Sequence, residues 1–166
     1  MMPIPIETDT APRFVTMVYP KHADPGRGPK TANCATPART AADTARMVAL
    51  VNAHRKEHGL APLRASPKLA RAAHAHACDN AARAVFSHVG SDGSDLGARL
   101  RRSGYKMTTA AENTGLGFDS PEKMVTFWMH SPGHRANILN PNITELGLGQ
   151  ADGPRPTWVL DFGRSR

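Results

Sequence analysis

A histidine placed in the opening turn of a short, strongly punctuated helix is the point in this 166-residue chain best suited to chemistry. In Phe127-Trp128-Met129-His130-Ser131-Pro132-Gly133-His134-Arg135-Ala136-Asn137-Ile138-Leu139-Asn140, Ser131 offers a capping oxygen. Pro132 supplies the fixed φ and missing N–H that suit a first helical position. His134 then lies where backbone N–H groups and the positive end of the helix dipole point outward. That setting favours the neutral imidazole, the form that binds a metal or accepts a proton. Asn140-Pro141 ends the segment, because proline biases its predecessor away from helical backbone. A helix of about two turns is not stable alone, so surrounding structure must hold it. The plainer alternative is a capped surface helix whose histidine only hydrogen-bonds.

A second arrangement, His54-Arg55-Lys56-Glu57-His58, has the H-x-x-E-H spacing of inverted zinc proteases. Its context argues against a metal site. Gly59 ends the helix at once, no third ligand is marked, and Met47, Leu50, Val51 and His54 continue one apolar stripe. His54 therefore reads as a boundary residue, and His58 as a C-terminal one favoured by the dipole. His74 and His76, two apart on a helix, face different ways and are not a ligand pair.

The elements that must position such groups follow from periodicity and caps. Residues 1 to about 42 carry seven of the fourteen prolines and little apolar periodicity, so they form a proline-rich N-terminal arm ahead of a domain over 43–166. Helices are predicted over about 43 to 58, from Ser66-Pro67 to about Ala84, over about 95 to 102, and from Ser120-Pro121 onward. Along the second, Leu69, Ala72, Ala73, His76 and Ala77 share one side, and their small size allows close approach to a sheet or another helix. Tyr105 to Asn113 is a strand or an extended edge. Thr144 to Gln150 and Thr157 to Phe162 are strands joined through Ala151-Asp152-Gly153-Pro154-Arg155-Pro156 as a hairpin. Helices early and strands late, without regular βαβ alternation, give an α+β class. Gly115-Leu116-Gly117 lacks the setting of a phosphate loop and reads as a flexible rim.

Composition narrows the function. One domain of this size can bury a core without staples. The formal charge of +7 suits an anionic surface, but sparse aromatics offer no stacking platform, so nucleic acid is excluded as a partner. Arg99, Arg101, Arg102 and Lys106 read as a solvated face, or one that meets anionic lipid or polysaccharide. Cys34 and Cys78 are either one bridge, implying an oxidising compartment, or two free thiols. No apolar run approaches the roughly 20 residues of a membrane span. No signal peptide is visible, since prolines and the acids Glu7 and Asp9 break the first twenty residues. The run Phe14–Tyr19 is too short for a leader and is a strand candidate.

Phe86-Ser87-His88, Ala111-Glu112-Asn113, Trp128-Met129, Ser131 through Pro141, Thr144-Glu145-Leu146-Gly147-Leu148-Gly149 and Asp161-Phe162-Gly163 together resemble the bacterial branch of the CAP superfamily. That superfamily unites cysteine-rich secretory proteins, antigen 5 and plant pathogenesis-related 1 proteins. The likeness runs from about Met47 to Gly163. It implies a three-layer α-β-α sandwich with an open cleft lined by two histidines and acids, with divalent metal, often zinc, on the histidines.

Carried over by motif, the histidines are His88 and His134, both metal-ligand candidates, and the first acid is Glu112, the catalytic candidate. The second acid, three positions after the tryptophan in many eukaryotic members, is here Ser131. With one carboxylate left, either Glu112 ligates and no base remains, or Glu112 is the base and two protein ligands hold the metal. Asn113 and Arg135 are expected to orient a carboxylate or imidazole beside them.

The resemblance implies an extracellular or periplasmic monomer that binds or modulates a lipid, a cell-envelope polysaccharide or a protein, with weak zinc binding at His88 and His134. A metal-assisted hydrolase or peptidase working in the same cleft is the alternative. A polar His88–Glu112–His134 cluster without metal is the plain reading of the same residues.

Overall fold

A computed structural model describes residues 34–166; the strand candidate Phe14–Tyr19 and most of the proline-rich arm lie outside the described residues. The elements in chain order are α1 (Thr40–Glu57), β1 (Arg64–Ala65), α2 (Pro67–Arg83), α3 (Leu96–Arg102), β2 (Met107–Leu116), α4 (Pro121–Met129), α5 (Pro132–Ile138), β3 (Glu145–Ala151) and β4 (Thr157–Ser165). The caps largely behave as the sequence predicts. Ser66, Asp95 and Ser120 side chains accept from the N–H groups of Leu69, Ala98 and Lys123, starting α2, α3 and α4. The two-residue β1 is too short to leave a periodic signal in the sequence.

The sheet runs β1-β3-β4-β2. The β3–β4 hairpin is antiparallel, β1 adds parallel to β3, and β2 pairs antiparallel with β4, setting Glu112 opposite Asp161. Strand alternation then divides the core. Leu146, Leu148, Trp158, Leu160 and Phe162 face Met47 and Val51 of α1, Met124 and Trp128 of α4, and Ile138 of α5. On the other face Val159 and Ala151 meet Ala73 and Ala77 of α2, while Leu69 joins Leu96 and Leu100 of α3. The three-layer sandwich is thus present, with β2 at one edge of the sheet. No helix among the described residues is long and apolar enough to cross a membrane.

The alanine side of α2 packs unusually close to β3. A Cβ added at Gly147 would sit 2.2 Å from the Ala70 nitrogen, and one at Gly149 2.1 Å from the Ala73 carbonyl carbon. Both obstacles are backbone and cannot rotate away. Gly149→Ala is therefore expected to destabilise the fold by about 3 kcal/mol or more, read as a lowered urea midpoint, because overpacking a closed interface forces main-chain shifts.

Gly115 proves not to be a rim residue. It lies inside β2, and a Cβ there would meet Met124 Sδ at 2.4 Å, so it is a packing glycine. Only Gly117, with φ of +89°, makes the turn beyond.

Cys34 and Cys78 are joined by a disulfide that pins the segment before α1 onto α2. Closing a loop across a separation of 44 residues restricts the unfolded chain by about 4 kcal/mol in the chain-entropy picture.

Candidate functional site

Glu112 stands near the middle of β2, and alternation sends its side chain toward the α2–α3 layer while Asn113 faces α5. The carboxylate is 1 % exposed. Arg99 of α3 grips it with two prongs, Nη1 to Oε2 at 2.7 Å and Nη2 to Oε1 at 3.1 Å. The same Nη2 donates to the His88 carbonyl at 2.7 Å, and His88 Nδ1 lies 3.0 Å from Glu112 Oε1. Burial alone would raise the Glu112 pKa. The Arg99 guanidinium, with hydrogen bonds from Asp161 and His88, instead holds it well below the usual carboxylate range.

Two more titratable groups complete this buried centre. His76 of α2 donates Nε2–H to the Ser87 carbonyl at 2.5 Å and lies 3.8 Å from Glu112 Oε1. Burial pulls its pKa down to about 4, partly offset by Glu112, so the ring is neutral at ordinary pH. Asp161 of β4 is fully buried, and neither of its oxygens receives a hydrogen bond among the described residues. Burial, then the negative charge and hydrogen bond of Glu112, push its pKa well up. Burial and the neighbouring Glu112 charge thus favour the protonated form of Asp161.

The two histidines that the motifs name are only partly buried. His88 sits in the loop after α2, which is pinned by Asn80 Nδ2 to the Ser87 carbonyl at 3.0 Å and by Thr114 Oγ1 to the Phe86 carbonyl at 2.8 Å. With Nδ1–H given to Glu112, the lone pair of His88 is on Nε2, in a side chain that is 19 % accessible.

His134 rides on α5 against Phe127, ring centroids 6.0 Å apart, with Nδ1 2.8 Å from Ser131 Oγ. Ser131 is the N-cap of α5 by backbone, but its hydroxyl makes no capping bond; the expected cap is spent on orienting His134. Asparagines fasten α5 to the edge strand. Asn113 Nδ2 donates to the His134 carbonyl at 3.1 Å, and Asn137 Nδ2 to Asn113 Oδ1 at 2.9 Å and the Glu112 carbonyl at 3.2 Å. From α1, Arg55 closes the far end of α5, donating Nη1 to the Ile138 and Asn140 carbonyls at 2.9 and 2.8 Å.

The structure therefore joins His88 and Glu112 directly, and ties His134 to the same strand through Asn113. Arg135 lies elsewhere: it is exposed, with Nη2 3.0 Å from His58 Nε2. In the H-x-x-E-H segment, His58 turns Nδ1 back to the His54 carbonyl at 2.8 Å, while Arg55 serves the fold.

Arg99 does not belong to a solvated face. It is 4 % exposed, whereas Lys106 is exposed and Arg102 pairs with Asp92 at 2.7 Å. A usable signal exists in the sequence: Arg99 is three residues past Leu96 and one before Leu100, both fully buried. The helical stripe puts His76 on the inward side of α2 but does not bring it to the site. Asp161 and Asn137 enter the sequence reading only as parts of motifs, and strand pairing alone brings Asp161 to Glu112.

As a metal site the donor set is lean. His88 and His134 offer imidazoles, and both Glu112 oxygens are committed to Arg99 and His88. Glu112 thus fits a supporting place behind His88 better than a place on a metal.

Residues 48–162 match the cysteine-rich secretory protein family, CAP. The chain is 34% identical over 126 residues to the uncharacterized protein YkwD of Bacillus subtilis, covering 76% of this chain and 49% of that one. It is also 34% identical over 100 residues to the uncharacterized membrane protein YlbC of the same bacterium, covering 60% of this chain and 29% of that one. The chain thus spans about half or less of the length of these relatives. Among solved structures, an extracellular SCP-domain protein from Bacillus anthracis superposes with a TM-score of 0.72 at 28% identity, covering 80% of this chain and 45% of the other. An outer surface protein from Borrelia burgdorferi shares the fold, with a TM-score of 0.71 at 19% identity over 76% of this chain and 96% of its own.

Proposed function

The chain belongs to the cysteine-rich secretory protein (CAP) family, and on that premise we propose that it is an extracellular or cell-surface binding module working through the cleft around His88, Glu112 and His134. The extracellular SCP-domain protein of Bacillus anthracis supports the location. The net charge of +7 favours an anionic lipid or cell-envelope polysaccharide as ligand.

The observation that carries the reading is the state of Glu112. A general base must be able to take a proton from water at its operating pH. Glu112 is buried, gripped by Arg99 on both oxygens and held well below the usual carboxylate range. It is built to orient His88, not to cycle protons. A divalent metal, where bound, is then held by the imidazoles of His88 and His134, with Glu112 fixing the tautomer of His88 from behind.

Binding to anionic phospholipid vesicles and to insoluble cell-wall polysaccharide tests this directly. Association with at least one is expected to survive chelation and to change less than about threefold in His88→Ala/His134→Ala, since a broad ligand rests on many contacts. Turnover of either material that chelation abolishes and Glu112→Gln destroys would establish the metal-assisted hydrolase instead. Zinc titration followed on the histidine ring resonances is expected to move His88 and His134 together; a response at His54 and His58 alone would displace the site.

A further inference from the structure

Away from the cleft, the side of α2 that carries the disulfide holds a second set of metal-type donors. Cys34, His74 and Cys78 bring one donor atom each within 4.8 Å of one another. His74 and Cys78 are one turn apart on α2, hence on one face, and Cys34 reaches them from the segment before α1. We propose that reduction of the Cys34–Cys78 bridge converts this place into a Cys2His site for zinc or another thiophilic divalent cation, separate from the histidines of the cleft.

The geometry is close to what zinc requires. His74 Nε2 lies 2.8 Å from the Cys34 carbonyl oxygen. A carbonyl only accepts, so Nε2 carries the proton and Nδ1 carries the lone pair. Nδ1 is 4.0 Å from Cys78 Sγ, and Nε2 is nearer at 3.5 Å. A sulfur and a nitrogen bound to one tetrahedral zinc, at roughly 2.3 and 2.0 Å from it, are about 3.6 Å apart. The ring must turn to bring Nδ1 rather than Nε2 toward the sulfur, and the Nε2–H bond to the Cys34 carbonyl becomes the outer hydrogen bond that commonly steadies a ligating imidazole. Two bound sulfurs lie about 3.8 Å apart, a separation that cutting the bridge permits. Water completes the fourth position.

Exposure suits the reaction. Cys34 is exposed and Cys78 is 2 % exposed, so an incoming thiolate attacks the Cys34 sulfur and Cys78 leaves as a thiolate beside His74. With a dithiol reductant, its second thiol then displaces Cys34. The reductant ends as a cyclic disulfide, and the protein gains two thiols. Binding of the divalent cation by both sulfurs releases two protons and leaves a neutral centre with the uncharged imidazole. The cation thereby replaces one cross-link between α2 and the segment before α1 with another.

Cobalt(II) substitution on the full chain, reduced with dithiothreitol and freed of it under argon, tests the site. One equivalent is expected to give thiolate-to-cobalt charge-transfer absorption with the intense visible bands of tetrahedral cobalt. The oxidised chain is expected to lack the charge-transfer band, which cobalt held by the imidazoles of the cleft cannot give. His74→Ala, at a half-buried position, is expected to weaken binding at least tenfold, while His88→Ala/His134→Ala leaves it unchanged. Three results would each overturn the proposal: absence of the charge-transfer band in the reduced chain, equal affinity in His74→Ala, or loss of the helical circular dichroism on reduction.

Discussion

Arg99→Met is expected to lower stability by about 3–5 kcal/mol at neutral pH, because it leaves the Glu112 carboxylate buried without its counter-charge. In the wild type that charge is offset by two guanidinium contacts at 2.7 and 3.1 Å. Methionine fills much of the arginine volume, so the loss is electrostatic and not a cavity effect. Glu112→Gln alone strands the guanidinium instead and is also expected to be costly. Arg99→Met/Glu112→Gln removes both charges and is expected to be more stable than Arg99→Met, a coupling that a double-mutant cycle in urea isolates.

The sign of the pH dependence has the same electrostatic origin. In the wild type, the lowered Glu112 pKa gives stability present above the unfolded carboxylate value and lost as pH falls below it. Without Arg99, burial raises the Glu112 pKa and the dependence reverses, so the deficit of Arg99→Met shrinks as the pH approaches about 4. A deficit below about 1 kcal/mol at pH 7 would mean that Glu112 is not an ion in the folded chain.

Most of the scaffold is legible in the residues because its signals are local. Ser-Pro pairs start α2 and α4, and alternating Trp158, Leu160 and Phe162 mark the core face of β4. The small face of α2 foretells close packing, and Gly147 and Gly149 of β3 are what it meets. The choice between a bridge and free thiols stays open in the sequence, because pairing depends on where two distant segments meet; the fold places the Cα atoms of Cys34 and Cys78 5.6 Å apart.

The centre of the site is legible only in part, for a related reason. Motifs point to His88, Glu112 and His134. They do not name the counter-charge. Arg99 sits 13 positions before Glu112 in a run of basic residues that reads as surface. Asp161 reaches Glu112 through strand register alone. Ser131 stands where the resemblance to eukaryotic members leads one to expect an acid, and its hydroxyl lies beside His134 Nδ1.

Asp161→Asn is expected to stabilise the protein, and by an amount that grows with pH. In the unfolded chain Asp161 ionises above about pH 4. In the fold it stays protonated, because burial and the adjacent Glu112 charge push its pKa well up. Each pH unit above 4 therefore penalises folding by about 1.4 kcal/mol until the folded acid itself ionises. Asparagine escapes this penalty, and its amide N–H can make the bond that the Asp161 hydroxyl makes to Glu112. The variant and wild type are expected to match near pH 4 and to diverge progressively as the pH rises above it.

His76 supplies an internal control, since its neutral state works in the opposite sense. Its pKa of about 4 lies below the unfolded value, so its contribution is complete above about pH 6.5 and is lost as pH falls toward 4, by about 3 kcal/mol. That loss is common to both proteins and cancels in their difference. Urea midpoints for wild type and Asp161→Asn between pH 4 and 7 thus isolate one proton, and a difference that does not change with pH would show that Glu112 and Asp161 do not share it.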